Sequence, residues 1–143
     1  MATVCVKQLK KDYSLGKTSV NALRGVNLKI DKGEFVTVAG ASGSGKSTLL
    51  NLVGCLDYPT EGEVWIGDTM VSGLGEKELN LLRLHTIGFI FQSFNLIPVL
   101  NVYENIELPL LIRKDITPGE KKARVEYFIE AVGLTPQTRQ KPA

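Results

Sequence analysis

Cysteine is scarce in this 143-residue chain: Cys5 and Cys55 stand far apart and outside any C-x-x-C spacing. That excludes a disulfide framework or a zinc site, fits a reducing compartment, and leads us to expect both thiols in the interior. Long apolar runs are missing as well. The opening MATVCVKQLKKDY lacks the apolar core of a signal peptide, and no run approaches the ~18 residues that a membrane-spanning helix needs. A cytosolic chain is expected. Charge of one sign is also in short supply, since 17 Lys+Arg against 15 Asp+Glu leave only +2, and the basic residues are scattered. Nucleic acid is therefore not expected as a partner. Internal repeats and low-complexity segments are absent.

What is present is the composition of an ordinary globular protein, with 43% apolar and 22% charged residues. The length fits one domain over residues 1–143. Apolar residues alternate along Thr3–Leu9, Val20–Ile30 and Glu63–Gly67, the pattern of half-buried strands in an antiparallel sheet with one wet face. Phe35–Ala39 (FVTVA) is nearly all apolar, as in a parallel strand covered on both faces. Thr86–Phe91 (TIGFIF) invites the same reading, and Trp65 and Phe89 are expected in the core. Leu49, Leu50, Leu52, Val53 and Leu56 repeat at helical spacing and must stop before Asp57-Tyr58-Pro59. Further helices are expected over Glu76–Leu84, over Val102–Ile112 with Asn101 and Glu104 as capping pair and Pro109 as a kink or early stop, and after Thr117-Pro118-Gly119-Glu120. The last should bury Val125, Phe128, Ile129 and Val132 and end at Gly133-Leu134.

Gly40 to Ser47, GASGSGKS, matches the phosphate-binding pattern G-x-x-x-x-G-K-[ST] in full. A chain of this composition would produce about 0.01 such matches by accident. Glycines at 43 and 45 let the backbone turn tightly and aim successive N–H groups at one phosphate cluster. The following helix adds its uncapped amides and positive dipole end, Lys46 supplies a point charge, and the Ser47 hydroxyl is a Mg²⁺ ligand. The motif by itself says nucleoside triphosphate and leaves the reaction open. Two alternating strands precede it, where many small-molecule kinases have none, which argues for an appended sheet that holds the base.

These residues resemble the ATP-binding subunits of ABC transporters over essentially the whole chain. The resemblance rests on Tyr13, the phosphate loop, CLDYPTEGEVWIGD (Cys55 to Asp68) and IGFIFQSFNLIPVLNVYENIELPL (Ile87 to Leu110), and it is closest to the lipoprotein-releasing and macrolide-export systems. It implies an α/β fold: a P-loop NTPase core with an appended antiparallel β subdomain and the start of a helical subdomain, the carboxy-terminal half of the domain being absent. It implies ATP and Mg²⁺ as cofactors, with Gly40, Ala41, Ser42, Gly43, Ser44, Gly45, Lys46, Ser47 and Thr48 around the phosphates. Tyr13 would stack on adenine, and Gln92, with Ser47, would reach the metal. The implied partners are a membrane permease and a second nucleotide-binding subunit, so the protein would sit on the inner face of the cell membrane. Ala41 stands where the family often has proline.

Hydrolysis needs a Mg²⁺-holding carboxylate on a second core strand and a base or water-orienting group. The apolar runs that end in an acid, Leu52–Asp57 and Val64–Asp68, lie on the loop's own helix and on the alternating sheet. The family's Walker B acid, catalytic glutamate, serine-glycine-glycine signature and switch histidine have no counterpart, and His85 is read as structural. An amino-terminal fragment is expected, with negligible turnover by itself and an exposed apolar edge that invites self-association. A truncated, inactive nucleotide- or permease-binding module and an unrelated phosphate-loop kinase are the alternatives.

Overall fold

The structure, a computed structural model, describes residues 2–16 and 18–142; Met1, Lys17 and Ala143 lie outside it. It divides into two units, Met1–Phe89 and Ile90–Ala143.

The first unit is built on a sheet of order β2-β1-β3-β4, antiparallel throughout, made of β1 (Ala2–Leu15), β2 (Thr18–Asp31), β3 (Glu61–Ile66) and β4 (Thr69–Met70). The three alternating segments thus form strands, and β4 is an addition. Val6 faces Leu28 on one side and Val64 on the other. Alternation sends Val6, Val64 and Ile66 to the inner face, where all three are buried. Leu9 is also buried although it lies three residues from Val6, because Gln8 at φ +46° forms an irregularity in the strand. Gly62 passes so close to that point that a Cβ would lie 2.4 Å from the Gln8 carbonyl oxygen. Onto the inner face pack Leu49 and Leu52 of α1 (Lys46–Val53), Cys55, Val71, and Leu79 of α2 (Glu76–Thr86).

Several sequence expectations fail here, each for a nameable reason. Trp65 is not in the core: with Val64 and Ile66 turned inward it must face out, where its Nε1 donates to Glu63 and Lys7 lies over the ring. Cys5 is only half-buried, while Cys55 is buried. Phe35–Ala39 forms no strand, and Phe35 is 94% exposed. A strand exists only through hydrogen bonds to a neighbour, and none of the four described strands lies beside this stretch. Thr86 closes α2 instead of opening a strand, residues 87–91 form none, and Phe89 is exposed.

In the second unit, α3 (Val102–Leu111) packs with α4 (Pro118–Ala131), followed by a short 3-10 helix, Thr135–Gln137. Both expected capping boxes are formed: Asn101 accepts from the Glu104 N–H, and Thr117 from that of Glu120. Pro109 lies inside α3, which ends two residues later at Leu111, close to the early stop expected. Gly133, at φ +72°, ends α4 with Gly133 N–H to Glu130 and Leu134 N–H to Ile129, the paired bonds of a Schellman motif. Of the expected apolar face, Val125 and Ile129 are buried, whereas Phe128 and Val132 are exposed. α3 covers only part of the stripe.

Candidate functional site

The phosphate loop is anchored on β2. At Gly45 the backbone takes φ +89°, and a Cβ there would lie 2.6 Å from the Ala22 carbonyl oxygen and 2.9 Å from Leu23 Cδ2. Glycine is demanded twice, by conformation and by close approach. Gly43, at φ +77° in open space, is demanded by conformation alone. The Ser44 N–H closes the turn onto the Ala41 carbonyl at 3.3 Å, so alanine at 41 leaves the loop formed. The helix α1 then begins with Gly45 as N-cap and no side chain capping it. Its first N–H groups have no partner within the helix and present the positive end of the dipole to the loop.

Lys46 lies back over this turn, its Nζ donating to the carbonyls of Gly40 (2.8 Å) and Ala41 (2.6 Å) and to Ser44 Oγ (3.4 Å). An ammonium thus lies across the same loop that leads into the uncapped helix start, and residues 40–48 contain no carboxylate. That donor set fits a polyphosphate. Ser42 and Ser47 are exposed, Thr48 half-buried, and the Ser47 hydroxyl offers the hard oxygen that suits Mg²⁺. A cavity of about 260 Å³ lies beside the loop, lined by Leu23, Val26, Val38 and Leu49 together with loop residues. A cavity of about 380 Å³ in the second unit is lined by Tyr103 of α3, Glu126 and Glu130 of α4, and Thr138 and Arg139 beyond it.

Tyr13, on β1, is half-buried and tied down at both its tip and its face. Its hydroxyl donates to Asp57 Oδ2 at 2.8 Å and meets the Thr48 side chain, which brings it to the first turn of α1. Lys11 Nζ stands 4.8 Å from the ring centroid while donating to Asp57 Oδ1 at 2.7 Å. Burial and the bond to Asp57 push the Tyr13 phenol above its ordinary pKa of 10.0. For Asp57, burial acts to raise the pKa, but hydrogen bonds from Lys11, Tyr13 and the Tyr58 N–H prevail and hold it below the ordinary 3.8.

Within the first unit, then, Tyr13 and Gly40–Thr48 come together. Gln92 belongs to the second unit, exposed at a bend. The segment after it is clamped by Asn105, whose side chain accepts from the Ile97 N–H and donates to the carbonyls of Ile97, Leu100 and Asn101. His85 is exposed in the last turn of α2, where a basic group complements the helix dipole. Asp68 lies in the turn between β3 and β4. Sequence reasoning missed Lys11 and Asp57. Spacing of two along β1 puts Lys11 on the Tyr13 face, a signal that was there; the pairing with Asp57 is tertiary and left no local trace.

Comparison with known proteins matches residues 23–143 to the family described as ABC transporter. A lipoprotein-releasing system ATP-binding protein, LolD, of Alcanivorax borkumensis is 44% identical over 137 residues, covering 96% of this chain and 60% of that protein. A macrolide export ATP-binding/permease protein, MacB, of Bdellovibrio bacteriovorus is 40% identical over 136 residues, covering 95% of this chain and 20% of that protein. Among solved structures, the dimeric post-hydrolysis state of the ATP-binding cassette MJ0796 bound to ADP and Pi superposes with a TM-score of 0.86 at 44% identity, covering 97% of this chain and 61% of that one. The chain spans between 51% and 60% of the length of several curated relatives.

Proposed function

The chain belongs to the ABC transporter family, in its ATP-binding part, and from that premise we propose that it binds ATP with Mg²⁺ through Gly40, Ala41, Ser42, Gly43, Ser44, Gly45, Lys46, Ser47 and Thr48. The observation that carries the reading is the Lys46 ammonium folded back onto the Gly40 and Ala41 carbonyls of a glycine loop that leads into the uncapped start of α1. The first-turn amides and Lys46 hold the β- and γ-phosphates, Lys46 exchanging its carbonyl partners for phosphate oxygens as it does so. Ser47 gives one oxygen to Mg²⁺, which when bound neutralises phosphate charge. Tyr13 receives the adenine on its ring. That the MJ0796 cassette was solved bound to ADP and Pi supports this assignment of ligand class.

In the whole protein we further propose a pair of such cassettes, as in the dimeric MJ0796 structure, working beneath a membrane permease and hydrolysing ATP to move its substrate. The names of the LolD and MacB relatives support the permease. Peripheral attachment to the inner membrane face follows from that partnership, and no helix among the described residues is long and apolar enough to cross a membrane.

The test is a thermal-shift and calorimetric titration with ATP and MgCl₂ on the intact chain and on Lys46→Ala. The intact chain should gain stability with ligand, by about 2.7 kcal/mol at a hundredfold excess over Kd. Lys46→Ala should fold normally and lose most of that gain. Saturable ATP binding that is indifferent to Lys46 would refute the assignment.

A further inference from the structure

The ion pair of Lys11 with Asp57 differs from the others among the described residues. Its side chains are only 12% and 28% exposed, against 47% and 62% for Lys10–Glu61 and 64% and 44% for Lys29–Asp31. A lysine is seldom withdrawn from water to this degree without a partner that holds it. Here the partner does two things at once. One Asp57 oxygen takes the Lys11 ammonium and the Tyr58 N–H, both at 2.7 Å, and the other takes the Tyr13 hydroxyl at 2.8 Å. The Lys11 ammonium also donates to the Tyr58 carbonyl at 2.6 Å and stands over the Tyr13 ring.

We propose that Asp57, acting with Lys11, is a positioning residue for the nucleobase: it locks the Tyr13 ring in one orientation at the start of α1, with one face occupied by Lys11 and the opposite face left to the base. This rests on the reading above that the chain binds ATP. Tyr13 pairs with Val20 two pairs from the turn end of the hairpin, where a half-buried ring without an anchor turns among rotamers. A stacking partner must then be ordered on binding, at a cost in side-chain entropy that prior fixation removes. Asp57 touches no nucleotide in this scheme. It lies in the turn after α1, so the same carboxylate ties the base-stacking ring to the helix whose first turn holds the phosphates. The two ends of one ligand are thereby set at a fixed separation.

The test compares ATP with inorganic tripolyphosphate, which has the phosphates and no base, each with Mg²⁺ on the full chain. Asp57→Ala should weaken ATP about fivefold and leave tripolyphosphate within about twofold. Tyr13→Phe keeps the ring and cuts its link to Asp57, so it should weaken ATP to a similar degree and serves where Asp57→Ala folds poorly. Combining the two should cost no more than either alone, as members of one network do. Equal loss for both ligands, unchanged ATP affinity in Asp57→Ala and Tyr13→Phe, or strict additivity would overturn the proposal. If the unmodified chain binds neither ligand, it is the nucleotide reading itself that fails.

Discussion

Strand β1 and residues 35–39 make an instructive pair. The second, FVTVA, is the more apolar and the richer in β-branched residues, whereas β1 carries Lys7, Lys10 and Lys11. Yet β1 sits in the middle of the sheet with Leu9 fully buried, and Phe35 is 94% exposed. Intrinsic strand preference therefore does not decide the outcome. A half-buried strand needs one covered face and two backbone neighbours, and β2, β3 and α1 supply these to β1 from within about sixty residues. A strand that is apolar on both faces needs neighbours on both edges and a layer on each side. No described strand meets that demand for 35–39.

The sharpest way to break this contrast is to remove the side chain that epitomises the packed region. Leu9→Ala should cost roughly 2–5 kcal/mol in urea unfolding of the first unit, since the site is closed on all sides and cannot readily collapse. A loss below ~1 kcal/mol would mean that the sheet's inner face is no better packed than the exposed stretch.

A smaller effect sharpens the comparison from the polar side. The end of β1 is fastened by Asp57 as well as by apolar contact, and the native carboxyl is more acidic than its ordinary 3.8. As pH falls through this range the unfolded chain takes up the proton first, so the Asp57 contribution, full above about pH 4, fades as the depressed native value is crossed. Melting temperatures of the intact chain should fall more steeply below pH 4 than those of Asp57→Asn. Some slope should remain in the variant, because the Glu120 carboxyl is also lowered, by its bonds to the Thr117 N–H and hydroxyl. Parallel curves would show that Asp57 fastens nothing.

How much of this was legible beforehand follows the range of the interactions. The phosphate loop was readable because its demands are local: Gly43 and Gly45 need positive φ, and the helix needs an uncapped start. Capping boxes at Asn101 and Thr117 and the Gly133 stop are equally local and appeared where expected. Alternation located β1, β2 and β3, but not the face each residue takes once an irregularity intervenes. Trp65 is expected in the core, whereas parity with Val64 and Ile66 sends it out. For Phe35–Ala39 and Thr86–Phe91, composition specified what the segments require and was silent on whether a neighbour meets it. Lys11 and Tyr13 share a face of β1 by their spacing, but Asp57 joins them from more than forty positions away and that link has no periodic signature.

The smallest expected change in stability belongs to the exposed stretch, and it is the most discriminating. Phe35→Ser removes a large ring that buries almost nothing, so the unfolding free energy should stay within about 0.5 kcal/mol of the parent. Association should respond instead. Phe35 at 94%, Val36 at 44% and Val38 at 38% exposure form a short apolar segment with no described strand beside it, the kind that pairs with another chain. Sedimentation over a range of concentrations should show the parent self-associating and Phe35→Ser shifted toward monomer. The two readouts pull the regions apart: a residue in the packed sheet acts on folding, and one in the exposed stretch acts on what the folded chain meets. Were Phe35→Ser to cost more than ~1 kcal/mol, the stretch would be buried in solution against something its own chain supplies, and the contrast with β1 would dissolve.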